Sequence, residues 1–215
     1  MKYNEILREV KKERIATAIS TAAQLYLSRG INDVKMTDIA EQSQIGVASL
    51  YRYFGTKQLF TVKVAAYIWK TTLQELEPLY TGPQYKSLCG YEQAKTLLSI
   101  FGIFLDQHKP FLRFLSEFDT FVVKEHLKQE HLQEYETCSL NMLPLMTQAI
   151  ETGKADGSVK PDVDPTLYYF AVTDTLIAAC QRFAWGNMPH SEDAQKNRQI
   201  LQMAIEVFLS YLRNS

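Results

Sequence analysis

Cysteine is scarce in this chain of 215 residues: Cys89, Cys138 and Cys180 lie far apart, with no C-x-x-C pair. An odd count without close spacing argues against a disulfide framework and against a zinc site, and fits a reducing cytoplasm. Met1 to Arg14 is mostly polar and charged, so no secretory leader is expected. The longest apolar-rich run, Leu167 to Cys180, is too short for a membrane span and contains Asp174. The chain has no G-x-S-x-G, no Gly-rich phosphate loop and no Cys nucleophile with an evident base, so nothing supports an enzyme. His126 and His131 stand among Glu125, Glu130 and Glu134, but their spacing puts them about 140° apart on a helix. A charged, solvated face accounts for them better than a metal site. No metal and no cofactor are expected. Strand-like alternation and internal repeats are absent too, which leaves an all-α fold.

The apolar fraction of 46% is enough to bury a sizeable core. A net charge of -1 looks wrong for a polyanion binder until the chain is divided. Residues 1–60 hold nine Lys and Arg against six Asp and Glu, or +3, and residues 61–215 hold fourteen against eighteen, or -4. The head is basic and the body acidic.

The most informative stretch is Thr37 to Phe60, TDIAEQSQIGVASLYRYFGTKQLF. Thr37 is read as the N-cap of a short helix to about Ser43, with Asp38 near its positive end. Gln44-Ile45-Gly46 interrupts the pattern, a second helix runs from Val47 to Phe54, and Gly55-Thr56 separates it from a third that starts at Lys57. In the second helix Leu50 and Phe54 share the inner face, while Ala48 and Arg52, flanked by Ser49 and Tyr51, face out. Small residues allow close approach, and the cation, hydroxyl and phenols offer donors to phosphates and base edges. This is the layout of a helix-turn-helix with its recognition helix.

The run from Thr37-Asp38-Ile39-Ala40 through Leu50-Tyr51-Arg52-Tyr53-Phe54 to Lys57 and Leu59 resembles the N-terminal domain of TetR-type transcriptional regulators. Two positions depart from that pattern. Gln44 stands where the family usually places Gly, and Gly46 where Ser or Glu is common, so some change in the turn is expected. The resemblance covers about residues 10–60; the body matches it only in helix count and order. It implies a DNA-binding domain over residues 1–58 and a ligand-binding and dimerisation domain over 59–215. By carry-over, Val47, Ala48 and Ser49 would face bases. Tyr51, Tyr53 and Lys57 would hold phosphates, Thr37 would cap the preceding helix close to the backbone, and Arg52 would reach either. The expected function is a cytoplasmic, homodimeric regulator, most often a repressor, on a near-palindromic operator in double-stranded DNA, released by a small-molecule effector. Control by a protein partner is the alternative.

The remaining residues read as helices. The first spans 5–29, where Arg8, Lys11, Lys12 and Arg14 interleave with Glu5, Glu9 and Glu13. A solvated face with i,i+4 pairs explains the interleaving, and a phosphate-contacting arm is the alternative. A long helix from Lys57 to about Leu79, ended by Pro78 and Thr81-Gly82-Pro83, would link head and body. Body helices are expected at about 91–107, 110–126 and 127–153, the last closed by Gly153. The next runs from an Asp164-Pro165 cap to about Trp185, and the final one from a Ser191 cap to about Arg213. Phe101, Phe104, Phe114, Phe118, Phe121, Tyr169 and Phe183 would line a cavity for a small apolar or aromatic effector. Ordinary core packing at helical spacing is the competing explanation for each. Arg113, Glu117, Asp119, Asn141, Thr173, Asp174 and Gln181 are candidate polar groups beside them. Leu167 to Ala179 and Ile200 to Leu212 are apolar nearly all round, which leaves a second apolar face for a partner's same helices.

Overall fold

The structure is a computed structural model that describes residues 2–139, 142–186, 189 and 193–214. Among the described residues it has eleven helices: α1 (Lys2–Arg29), α2 (Met36–Ser43), α3 (Val47–Phe54), α4 (Lys57–Thr81), α5 (Pro83–Lys86), α6 (Gly90–Gln107), α7 (Lys109–Lys124), α8 (Gln129–Ser139), α9 (Leu143–Asp156), α10 (Pro165–Ala184) and α11 (Ala194–Leu212). The all-α expectation holds; among the described residues the one β-type pairing is an isolated bridge between Val159 and Arg213. Among the described residues no helix is long and apolar enough to cross a membrane. Residues 1–71 and 114–139 form one compact unit, and residues 72–113 and 140–215 a second.

In the first unit, α1 to α3 and the start of α4 close on a core of Ala18, Ala22, Tyr26, Ile39, Leu50 and Phe60. Tyr26 stacks on Phe114, and its hydroxyl meets Thr61 Oγ1 at 3.0 Å inside this core. Burial pushes the Tyr26 phenol up to about 12, so it stays a neutral hydrogen-bonding group. In the second unit α6 crosses α9 at very close range. A Cβ built on Gly90 would lie 2.0 Å from Gly153 N and 2.3 Å from Ala149 O, so only glycine fits. The start of α6 is capped from the end of α9 and the residues just after it: Gly90 N donates to Asp156 Oδ2 at 2.8 Å, and Tyr91 N to Ser158 Oγ at 3.1 Å.

Several boundaries differ from the sequence expectation, each for a local reason. Gly153 lies inside α9 at that crossing, and Gly157, with φ of +78°, ends the helix instead. The stretch 127–153 is two helices, and Pro144 sits in the first turn of the second, where a missing N–H costs nothing. Pro78 falls within α4, whose last turn continues to Thr81. The short helix α5 was not anticipated; Pro83 starts it. The Asp164-Pro165 cap is as read, with Asp164 Oδ1 accepting from Thr166 N and Leu167 N at 2.9 Å each. For the last helix the cap is Asp193, while Ser191 lies outside the described residues. Replacing Gly90 with Ala must push two backbones apart, and we expect a loss of about 3 kcal/mol in chemical denaturation. Gly102→Ala, on an open face of the same helix with nothing within 4 Å of the added carbon, should instead gain about 0.5–1 kcal/mol.

Candidate nucleic-acid interface

The helix-turn-helix is built by α2, the turn 44–46 and α3. Gln44 adopts the left-handed conformation, φ 57° and ψ 32°. Its N–H bonds Glu41 O at 3.3 Å and the Ile45 N–H bonds Ala40 O at 3.0 Å, the paired bonds of a Schellman stop. The usual turn is therefore formed without glycine, and Ile45 is buried beneath it. Gly46 precedes α3 with an ordinary φ of -57° and accepts from Ser49 N at 2.8 Å.

Thr37 is not the cap of α2. The helix begins one residue earlier, at Met36, and the side chain that satisfies its start is Asp38, whose Oδ2 accepts from Lys35 N at 3.2 Å. Thr37 is exposed in the first turn. Arg29 Nη2 also reaches Asp38 Oδ2, at 3.1 Å. The Lys35 backbone N–H, and then Arg29, hold the Asp38 carboxyl below the usual carboxylate range. This stabilising contribution is present above the ordinary carboxyl pKa and lost as pH falls through the lowered one.

On α3, Leu50 and Phe54 are buried, Ala48, Tyr51 and Arg52 are exposed, and Val47, Ser49 and Tyr53 are intermediate. Arg52 Nη2 donates to Ser49 Oγ at 3.2 Å and its guanidinium lies 5.3 Å from the centre of the Tyr53 ring. Hydrogen bonding from Arg52, and next from Arg14 of α1, lowers the Tyr53 phenol pKa. Arg14 and Lys11, whose ammonium is 5.8 Å from the same ring, were read from the sequence as part of a solvated face, with a phosphate-contacting arm as the alternative; their closeness to Tyr53 was not anticipated. A signal for them existed: Lys11, Arg14 and Ala18 follow at i, i+3 and i+7, which continues the stripe α1 buries.

Lys57 has a structural engagement as well. Its Nζ donates to Val34 O at 2.7 Å and Ile31 O at 3.2 Å, and burial lowers its pKa. Ile31 N, in turn, donates to Glu117 Oε2 at 2.7 Å. Glu117, read as a polar neighbour of the aromatic residues, thus fastens α7 to the α1–α2 connection. Gly30, with φ of +87°, leaves the room: a Cβ there would sit 2.7 Å from the Glu117 carboxylate.

The seven aromatic candidates are all buried. Phe114, Phe118 and Phe121 belong to the first unit, where Phe118 packs on Tyr135 with ring centres 4.6 Å apart. Phe101, Phe104, Tyr169 and Phe183 belong to the second, where Phe104 packs on Phe111 at 5.2 Å. Phe183 also borders a small cavity of about 70 Å³ with Leu105, Lys109 and Asn197. Of the polar candidates, Thr173 is half-buried, Arg113 and Asp174 are exposed, and Asn141 lies outside the described residues. Among the described residues no three His, Cys, Asp or Glu side chains are grouped to hold a metal.

With this geometry in hand, residues 18–60 match the family model described as bacterial regulatory proteins, tetR family. No curated protein sequence matches the chain significantly. Among solved structures, the reduced form of NemR from E. coli is similar with a TM-score of 0.67 at 17% identity, covering 94% of this chain and 98% of that one. The regulator FadR from Bacillus subtilis, in complex with stearoyl-CoA, gives 0.62 at 16% identity over 92% of this chain and 99% of its own. The ketosteroid regulator KstR2 of Mycobacterium tuberculosis gives 0.59 at 15% identity over 94% and 96%. At these identities the likeness establishes the fold. For the Glu117 contact, we expect Glu117→Ala to cost about 1–2 kcal/mol and to speed amide exchange at Ile31, with Glu117→Gln recovering most of both.

Proposed function

We propose that this chain, whose residues 18–60 match the tetR-family model, is a DNA-binding transcriptional regulator of that family and acts in the cytoplasm as a homodimeric repressor released by a small molecule. The observation that carries the reading is α3 itself, an amphipathic eight-residue helix that buries Leu50 and Phe54 and leaves Ala48, Tyr51 and Arg52 to solvent. In this reading residues 1–58 are the DNA-binding domain and 59–215 the ligand-binding and dimerisation domain. Val47, Ala48 and Ser49 approach bases, with Ala48 the most open of the three. Tyr51 and Tyr53 hold phosphates, Arg52 reaches phosphate or base, and Thr37 lies near the backbone. Lys57 contributes chiefly by holding the α1–α2 connection, while the start of α4 offers its N–H groups to a phosphate. With so few polar base contacts, DNA shape supplies much of the specificity.

Dimerisation is supported by the apolar surface of α10 and α11. Leu167 is 70% exposed, Met203 67% and Val207 62%, and Tyr211 and Ile200 are exposed beside them. An isolated chain gains nothing from a stripe of this size, whereas a second copy covers it with the same stripe. Two heads about 34 Å apart, or a multiple of it, then meet an inverted repeat. Release by an effector such as an apolar or aromatic molecule is supported by the buried aromatic residues of both units. The neighbour FadR was solved with stearoyl-CoA, which is a finding about that protein. Control by a protein partner is the alternative, and a core that accepts no small molecule would favour it.

A genomic DNA selection with the purified protein at low and high salt should enrich a short inverted repeat that survives high salt; only sequence-blind, salt-labile binding would overturn the reading. Tyr51→Ala should weaken binding to that repeat at least about tenfold while leaving the dimer intact in sedimentation. Met203→Lys with Val207→Lys should shift sedimentation to the monomer and take repeat binding with it.

A further inference from the structure

The N-terminal part of α1 looks from its sequence like an evenly solvated helix, with cations and carboxylates interleaved. Only some of those charges pair locally. Lys12 turns to Glu9 at 2.9 Å, an ordinary exposed i,i+3 pair. Lys11 and Arg14 instead converge on Tyr53 of α3. The Lys11 ammonium lies 5.8 Å from the ring centre and the Arg52 guanidinium 5.3 Å from it, and Arg14 is among the cations that lower the Tyr53 phenol pKa. Cations from two helices therefore meet at one aromatic ring, Lys11 from α1 and Arg52 from α3, with Arg14 acting on the same phenol. Like charges held this close repel one another, and an added anion would relieve the repulsion. Two guanidiniums and a hydroxyl provide several directed donors, which suits the oxygens of a phosphate better than a single carboxylate. Arg52 belongs to the exposed face of α3, as do Ala48 and Tyr51.

We propose that Lys11 and Arg14 of α1, with Arg52 and Tyr53 of α3, form a phosphate-binding cluster that grips the DNA backbone beside the reading helix. The inference rests on the DNA-binding reading above and extends the interface to a helix outside the helix-turn-helix. The cluster carries charge and hydroxyl contacts to backbone only, so it adds affinity without sequence preference.

The test compares wild type, Lys11→Gln, Arg14→Gln and Lys12→Gln, binding a labelled duplex with the repeat enriched above, or mixed-sequence duplex if none is enriched. The readout is the slope of log affinity against log salt. Each lost phosphate contact should flatten the slope by about 0.9. Lys11→Gln and Arg14→Gln should each do so, and Lys12→Gln should not. If the two cations merely hold α1 against α3, their variants will lower the melting temperature and weaken binding with the slope unchanged, which overturns the proposal. Should Arg14→Gln fail to fold, Lys11→Gln decides alone, since Lys11 is exposed. A wild type that binds neither duplex at low salt overturns the DNA reading as well; a wild type that binds, with variants of unchanged slope, overturns this inference only.

Discussion

The main chain of Ile31 is held at both of its polar groups: its N–H by the Glu117 carboxylate and its C=O by the Lys57 ammonium. The two side chains come from α7 and α4, and between them they define the path of the chain from α1 into α2. Lys57 adds a second bond to Val34 O, and Asp38 fastens Lys35 N, so the connection is tied along most of its length. Hydrogen bonds to charged groups cost about 1.5–3 kcal/mol when broken, more than a solvated surface ion pair contributes. The angle at which α2 and α3 leave α1 therefore depends on these few contacts more than on the surface charges around them. A reading helix that must meet bases within a fraction of an ångström needs its base held in this way.

Five of the nine cations of residues 1–60 consequently fall into two groups. Lys57 and Arg29 are spent on the fold, bonded to carbonyls and to Asp38. Lys11, Arg14 and Arg52 gather on Tyr53, at the exposed edge of α3. A simple count of +3 for residues 1–60 does not separate these roles. The excess matters less than its position, because the attraction of a polyanion depends on where unpaired charge collects.

The second unit is organised by close approach. Gly90 and Gly153 let α6 and α9 meet backbone to backbone, and Asp156 and Ser158 cap α6 from the far side of that crossing. The C-terminal strand-like residues are fastened to the same corner, with Lys160 N donating to Leu212 O at 2.9 Å.

The sequence by itself determined the helix-turn-helix, its recognition helix and the all-helical body. Those features depend on local rules: capping residues, turn glycines and the 3.6-residue spacing of apolar side chains. The Asp164-Pro165 cap and the limits of α3 were legible for that reason. Where local rules competed, the reading slipped. Thr37 is a good cap in isolation, but Asp38 took that role because Arg29 and Lys35 N were placed around it. Gly153 looked like a helix end and proved to be a packing contact, which depends on Gly90, sixty-three positions away in the chain. Glu117 on Ile31 and Lys11 and Arg14 on Tyr53 are likewise partnerships between distant segments. No periodicity along one helix records which face of another it will meet, so these contacts were decided only by the tertiary structure.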